Sequence, residues 1–266
     1  MGANTKALRI RIRSVDSTKH LTKAMELVAS SKIRKAGEAM QKSKAYKNAL
    51  QEVMHSLTAS RECERSPFMA HRGERTKMIV IAGDRGLAGG YNANVFRLCR
   101  QHPDASVLPI GKRACERFHA DPVLCETFTG QDAHALARQL CTEYLNGGFD
   151  RLTILYTRYD SMLSQTAVLL PVLPLEKPRS SKTVSCLFEP SEEAVLNAAV
   201  QEYVSGVIAA CVHESFASEV AARRFAMDNA GKNATTMIDD LQLKYNRARQ
   251  GAITQEITEI VAGSGS

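Results

Sequence analysis

The 266 residues are 44% hydrophobic, 24% charged and 6% aromatic, an ordinary globular composition that excludes collagen-like, mucin-like and disordered classes. The longest apolar run, Thr166 to Leu175, is about ten residues and is broken by Pro171 and Pro174; a bilayer crossing needs about 20 apolar residues, so none is expected. The net charge of +7 is unevenly placed: +8 over residues 1–60, +3 over 61–190 and −4 over 191–266. The polar, basic N-terminus lacks the apolar stretch of a secretory signal, and Lys6 stands where a myristoylation signal needs Ser or Thr.

Proline divides the chain. All eight prolines lie between Pro67 and Pro190, and proline inside a helix removes a hydrogen bond and clashes with the preceding turn. Two long helices around a proline-punctuated middle domain are therefore expected. In the first segment Leu8, Ile12, Val15, Leu21, Met25, Val28, Ile33, Ala36, Met40, Leu50, Val53 and Leu57 recur at three- and four-residue steps. That spacing predicts a coiled-coil helix from about Ala3 to Leu57, roughly 80 Å long. Its basic residues suit nucleic acid, RNA or an acidic protein surface. Tyr46 is its only aromatic residue, which argues against stacking on nucleic acid bases.

The middle segment, 61–190, alternates strand and helix. Strands are expected at Met78–Ala82, Ser106–Ile110, Leu152–Thr157 and Thr166–Leu173. Helices are expected at Tyr91–His102, Lys112–His119 and from an Asp132 cap to Leu145. This βαβαβ order predicts a parallel or mixed sheet covered by helices. Residues 174–190 read as a surface connection.

The last segment repeats the helical spacing at Val200, Val204, Val207 and Cys211, then at Leu241, Tyr245, Ala248 and Ala252, with Ile253, Ile257 and Ile260 continuing it. It predicts an antiparallel partner helix from about Ser191 to Val261, longer than the first, with its last turns overhanging. The stretch Asn229 to Thr236, nearly all small or polar, predicts a weak or irregular section of the seam. The fold class is thus α/β: a long antiparallel coiled coil (1–60 and 191–266) plus a Rossmann-like α/β domain (61–190).

Chemistry-bearing motifs are few. Gly83-Asp84-Arg85-Gly86-Leu87-Ala88-Gly89-Gly90-Tyr91-Asn92 follows the first strand and opens a helix, where phosphate-binding loops lie. It lacks the Lys and Ser/Thr of a P-loop and the spacing of a dinucleotide fingerprint. A structural turn or partner-contact loop is the better reading. The seven histidines (20, 55, 71, 102, 119, 134 and 213) are scattered without a metal signature. Seven cysteines (63, 99, 115, 125, 141, 186 and 211) make no C-x-x-C and read as reduced thiols of a cytoplasmic protein. Cys99, Cys115, Cys141 and Cys211 lie on helical patterns as small buried hydrophobes. Asp239-Asp240 and Glu192-Glu193 read as solvated faces, since helical neighbours one apart point in different directions. No catalytic, cofactor-binding or metal-binding residue is nominated.

The runs IRSVDSTKHLTKAMELVASSKIRKA and ARRFAMDNAGKNATTMIDDLQLKYNRARQGAITQEITEIVAG, with GDRGLAGGYN between them, resemble the gamma subunit family of F-type rotary ATP synthases. The resemblance implies a non-catalytic central-stalk rotor. Its paired helices would turn inside a hexamer of alpha and beta subunits, and its middle domain would sit at the foot with the epsilon subunit and the membrane c-ring. Neither cofactor nor nucleic acid is implied, and membrane association would come only through the complex, at the cytoplasmic face of a bacterial plasma membrane. By resemblance Met25 faces an acidic beta loop, and Arg249, Gln250 and Thr254 contact beta; Lys23, Lys32 and Arg34 are nominated from charge. Asp84, Arg85, Gly86, Gly89 and Gly90 carry over as the foot-domain motif. Ala88 stands where the family often has Cys, Gly231 and Gly251 interrupt the C-terminal helical pattern, and the regulatory cysteine insert of the chloroplast type is absent.

The rival class is a nucleotide- or RNA-dependent enzyme carrying a coiled-coil arm. Titrating the isolated chain with Mg-ATP separates the two: the rotor reading expects no tight binding, and tight Mg-dependent binding would establish the enzyme.

Overall fold

A computed structural model describes residues 3–178 and 188–263. The chain forms two compact units, Met1–Ala29 with Arg224–Ser266, and Ser30–Arg223. Two long helices, α1 (Ala3–Thr58) and α5 (Glu192–Gly263), contribute to both. Both end within two residues of the positions expected from periodicity.

In the first unit α1 and α5 pair antiparallel. The Arg9 guanidinium donates to the Tyr245 hydroxyl at 2.8 Å and lies over its ring. Further along, Gly231 faces Thr22, whose Oγ1 would lie 3.7 Å from a Cβ added at the glycine. The inward positions of α1 are Thr5, Leu8, Ile12, Val15, Thr22 and Ala29; those of α5 are Met227, Ala234, Ile238, Leu241, Tyr245 and Ala248. This is the seven-residue repeat of a coiled coil.

The seam differs from the expected one in two places. Leu21 and Val28 are 66% and 54% exposed, while their neighbours Thr22 and Ala29 are buried. One residue is about 100° around a helix, so the repeat that brings Val15 inward turns Leu21 and Val28 out. Ile253, Ile257 and Ile260 do not extend the seam: with Val261 they are 47–70% exposed, because α5 runs on beyond the level of the first turn of α1. Asn229–Thr236, expected to be a weak or irregular section, is unbroken helix with a single buried residue. There Ala234 is buried, and the Thr235 and Thr236 hydroxyls donate back to the carbonyls of Gly231 and Lys232.

In the second unit a short 3₁₀ turn (Glu62–Arg65) leads from α1 to β1 (Thr76–Ile81). Then follow α2 (Tyr91–Cys99), β2 (Ser106–Ile110), α3 (Lys112–Phe118), α4 (Gly130–Leu145), β3 (Arg151–Tyr159) and β4 (Gln165–Leu173). The sheet order is β2-β1-β3-β4. β1 is parallel to both neighbours and β4 antiparallel to β3, so the sheet is mixed. Pro109 and Pro171 fall on the two edge strands, where a missing N–H is tolerated.

Alternation along β1 sorts its side chains between two cores. Ile79 and Ile81 pack with α4 and with Leu57, Leu196, Val200 and Val204 of the long helices; Met78 and Val80 pack with Val95 of α2 and Ala114 of α3. Burying each such side chain is worth about 1.5–3 kcal/mol. Here too α1 and α5 pack closely: a Cβ at Gly206 would come 2.6 Å from Leu50 Cδ1. Val53, expected inward, is 44% exposed, and Met54 is buried in its place. Asp132 is not the N-cap of α4. Thr129 is, and Asp132 completes a capping box by accepting from the Thr129 N–H at 2.8 Å.

The six described cysteines are buried and unbridged; Cys186 and residues 179–187 of the expected connection lie outside the described residues. α5 contains a stretch long and apolar enough, by length and composition, to cross a membrane, but 56% of it is buried inside the protein. Its apolar residues serve the core of the second unit.

The seam assignment makes a ranked prediction for the full chain. Ala29→Leu overpacks the helix pair and lowers stability by about 1–3 kcal/mol, whereas Leu21→Ala, a larger truncation, changes it by about 0.5 kcal/mol or less. Urea denaturation followed by helical circular dichroism checks the order; the reverse ranking would return Leu21 to the seam.

Candidate functional site

The glycine-rich loop of the second unit is built around two carboxylates. After β1, Ala82 N–H still bonds to the Ile110 carbonyl at 2.9 Å, and then the chain turns away. Gly83 N–H is taken by Asn92 Oδ1 at 2.8 Å. The next two N–H groups, of Asp84 and Arg85, both point at Glu219 of α5, donating to its two oxygens at 3.0 Å each. Gly83 is required by that approach, since a Cβ there would lie 2.8 Å from Glu219 Cδ. Leu87 and Gly89 adopt positive φ (61° and 58°), and Gly90 caps α2.

Asp84 faces the other way. Its carboxylate accepts from the N–H groups of Lys112 (3.2 Å), Cys125 (3.0 Å) and Glu126 (2.8 Å), stitching the loop to the start of α3 and to the segment before α4. Arg223, one turn beyond Glu219, pairs with that carboxylate and donates through Nε to the Gly86 carbonyl at 3.2 Å. Glu126 in turn receives Lys32 from α1 and Arg85 at 3.5 Å.

Two adjacent N–H groups aimed at one carboxylate form an anion cradle of the kind that holds phosphate. Here the anion is the chain's own Glu219, only 1% exposed, and Asp84 adds a second buried negative charge beside it. The loop is therefore a clasp between α5 and the sheet. Burial pushes the Cys125 thiol well up, with Asp84 and Glu219 adding to it, and burial and Glu219 do the same to the Tyr91 phenol; neither ionises in the working range. The Lys32 hydrogen bond holds Glu126 below its ordinary 4.5. That pair's contribution is present above about pH 4.5 and is lost as pH falls through the lowered folded value.

The nominated residues fall into separate groups. In the first unit Lys23 is exposed and paired with Glu26 at 3.0 Å, and Met25 is half-buried. Arg249, Gln250 and Thr254 are exposed on α5, Thr254 Oγ1 donating to the Gln250 carbonyl at 3.0 Å. The antiparallel register puts these three about 30 Å along the helix pair from Met25, so one surface patch does not hold both groups. In the second unit Arg34 is exposed and pairs with Glu38 at 3.4 Å, while Lys32 joins the clasp through Glu126. Asp84, Arg85, Gly86, Gly89 and Gly90 all lie in the clasp. Sequence reasoning missed Glu126, Glu219 and Arg223. The one available signal was the spacing of Glu219 and Arg223, which puts carboxylate and guanidinium on one helix face. Among the described residues no group of three or more His, Cys, Asp or Glu is placed to hold a metal ion.

Comparison with known proteins gives a consistent result. A family model described as ATP synthase matches residues 4–266. The chain is 41% identical to the ATP synthase gamma chain of Moorella thermoacetica, covering 98% of each, and 36% identical to that of Paracoccus denitrificans, covering 97% of this chain and 98% of the relative. Its fold matches a chain of the Euglena gracilis mitochondrial ATP synthase with a TM-score of 0.67 at 18% identity, covering 98% of this chain and 94% of that one. A chain of the Tetrahymena thermophila central stalk and c-ring matches with a TM-score of 0.60 at 21% identity, over 79% and 99% of the two.

The clasp predicts a large effect from a small change. Asp84→Asn replaces one acceptor oxygen with an NH₂ group aimed at a buried N–H, and it should cost about 3 kcal/mol, measurable by urea denaturation. A loss under about 0.5 kcal/mol would mean that the carboxylate does not hold the loop.

Proposed function

The chain belongs to the ATP synthase gamma-chain family, and from that premise we propose how its parts divide the work. As a gamma chain it is the non-catalytic rotor of the central stalk, coupling ion-driven rotation of the membrane ring to conformational cycling of the catalytic beta subunits. The complex to which it belongs is membrane-associated.

In our reading residues 1–60 and 191–266 are the shaft, working inside the hexamer of alpha and beta subunits, and residues 61–190 are the foot, meeting the epsilon subunit and the c-ring. The chain is then peripheral, at the cytoplasmic face of a bacterial plasma membrane. Met25, Lys23 and Arg34 on α1, and Arg249, Gln250 and Thr254 on α5, are the beta contacts; Lys32, nominated with them from charge, is held in the clasp by Glu126 instead.

The observation that carries this reading is apolar side chains exposed on a helix pair whose seam is already filled. Leu21 and Val28, one turn either side of Met25, are 66% and 54% exposed, and Ile257, Ile260 and Val261 stand out at the end of α5. Clustered exposed apolar groups mark a surface that a partner covers. The net charge of +8 over residues 1–60 suits acidic loops on beta, although Lys23 and Arg34 are themselves paired with Glu26 and Glu38. Because α1 and α5 carry different side chains, each angle of rotation offers a beta subunit different contacts and shifts its conformational populations differently.

Met25→Lys tests the placement in the assembled complex. An added charge beside an acidic beta loop creates a contact that resists rotation, so protons pumped per ATP hydrolysed should fall. Unchanged pumping per ATP would remove Met25 from the beta contact.

A further inference from the structure

α5 carries a cluster of polar residues where a helix packed on a sheet is ordinarily apolar. Glu214, Ser215, Ser218 and Glu219 occupy two successive turns and are 5%, 0%, 0% and 1% exposed. Their partners are on the sheet and its loops. β1 pairs with β3 only from Thr76↔Arg151 to Val80↔Leu155, yet β3 runs on to Tyr159. The last residues of β3 therefore lack a strand on that side, and α5 supplies the missing bonds.

Ser215 Oγ accepts from Thr157 N–H at 3.1 Å, Ser218 Oγ donates to the Thr157 carbonyl at 3.2 Å, and Glu214 Oε1 accepts from Tyr159 N–H at 3.1 Å. Tyr91 of α2 donates its hydroxyl to the Ser215 carbonyl at 2.9 Å. One turn on, Glu219 receives the Asp84 and Arg85 N–H groups of the clasp at 3.0 Å.

Apolar packing is non-directional. It resists separating a helix from a sheet far better than it resists sliding one along the other. Hydrogen bonds lose strength within a few tenths of an ångström and a modest change of angle, most sharply in a dry interior. Burying a carboxylate is also a poor way to gain stability, since well-packed apolar residues of similar volume do as well or better; its attested use is to fix register. In a rotor, the load between a helix and the domain beneath it is tangential, the direction that apolar contact resists least.

We propose that Glu214, Ser215, Ser218 and Glu219 form a register lock that carries torque between α5 and the sheet. The inference rests on the central-stalk reading and adds to it the residues through which load enters the long helix. They are positioning residues; none touches a reacting atom.

The test uses the complete complex in sealed vesicles, with ATP-driven proton uptake and phosphate release measured together. Ser215→Ala with Ser218→Ala removes two hydroxyls and almost no volume. Amide exchange at Thr157, whose N–H loses its acceptor, should quicken by about tenfold. Hydrolysis without a gradient should stay at the unaltered rate, but the steady proton gradient should fall while hydrolysis continues against it, the signature of slip under load. A merely structural role would lower assembly or thermal tolerance without load-dependent slip. A full gradient in the alanine variant, with exchange accelerated, would overturn the proposal. If the double variant does not assemble, Ser218→Ala alone reads the same slip, and a full gradient there is equally fatal. Vesicles carrying the unaltered chain that fail to pump would instead refute the central-stalk reading.

Discussion

The seam between α1 and α5 is narrow, and much else in the chain follows from its narrowness. Thr22, Ala29, Gly231 and Ala234 in one unit, and Ala36 and Gly206 in the other, fill positions that larger residues usually hold in a coiled coil. Short side chains let two backbones approach closely, which increases dispersion contact along their length. They also leave no space for Leu21, Val28 or Val53, which end on the surface. A helix pair of this kind keeps Leu8, Ile12, Val15, Met227 and Leu241 inward and leaves Leu21, Val28 and Val53 on its surface.

A second constraint acts where the helices meet the sheet. The loop after β1 has the backbone of an anion site, and in another protein such a loop would hold a phosphate. Here the position is occupied by Glu219, 135 residues away in sequence and anchored by Arg223. The same chemistry that would recruit a nucleotide recruits a helix instead. This explains how a chain without catalytic function carries a glycine-rich loop at the carboxyl end of a parallel strand. The loop's glycines serve close approach of a side chain rather than of a ligand.

Taken together, the two features suit a part that works by shape. Its interior must keep the outward side chains in register. The apolar cores supply cohesion. The buried polar contacts of α5 supply position, at some cost in stability.

Much of the architecture was legible because it is local. Apolar spacing of three and four residues, the absence of proline and short apolar runs such as Met78–Ala82 each depend on neighbours in sequence, and they located both long helices and all four strands to within a few residues. The family resemblance was legible for the same reason, since its motifs are contiguous runs. Finer assignments failed where two adjacent residues competed for one role. Leu21 is more apolar than Thr22, and Asp132 caps as well as Thr129 does; which of each pair turns inward or caps is settled by the partner helix and by the path of the chain. The contacts between Glu219 and the loop, and between Ser215 and Thr157, had no sequence signature. They join groups that are unremarkable alone and acquire meaning only when folding removes water from around them, leaving each buried N–H or carboxylate dependent on whatever the tertiary structure places opposite it.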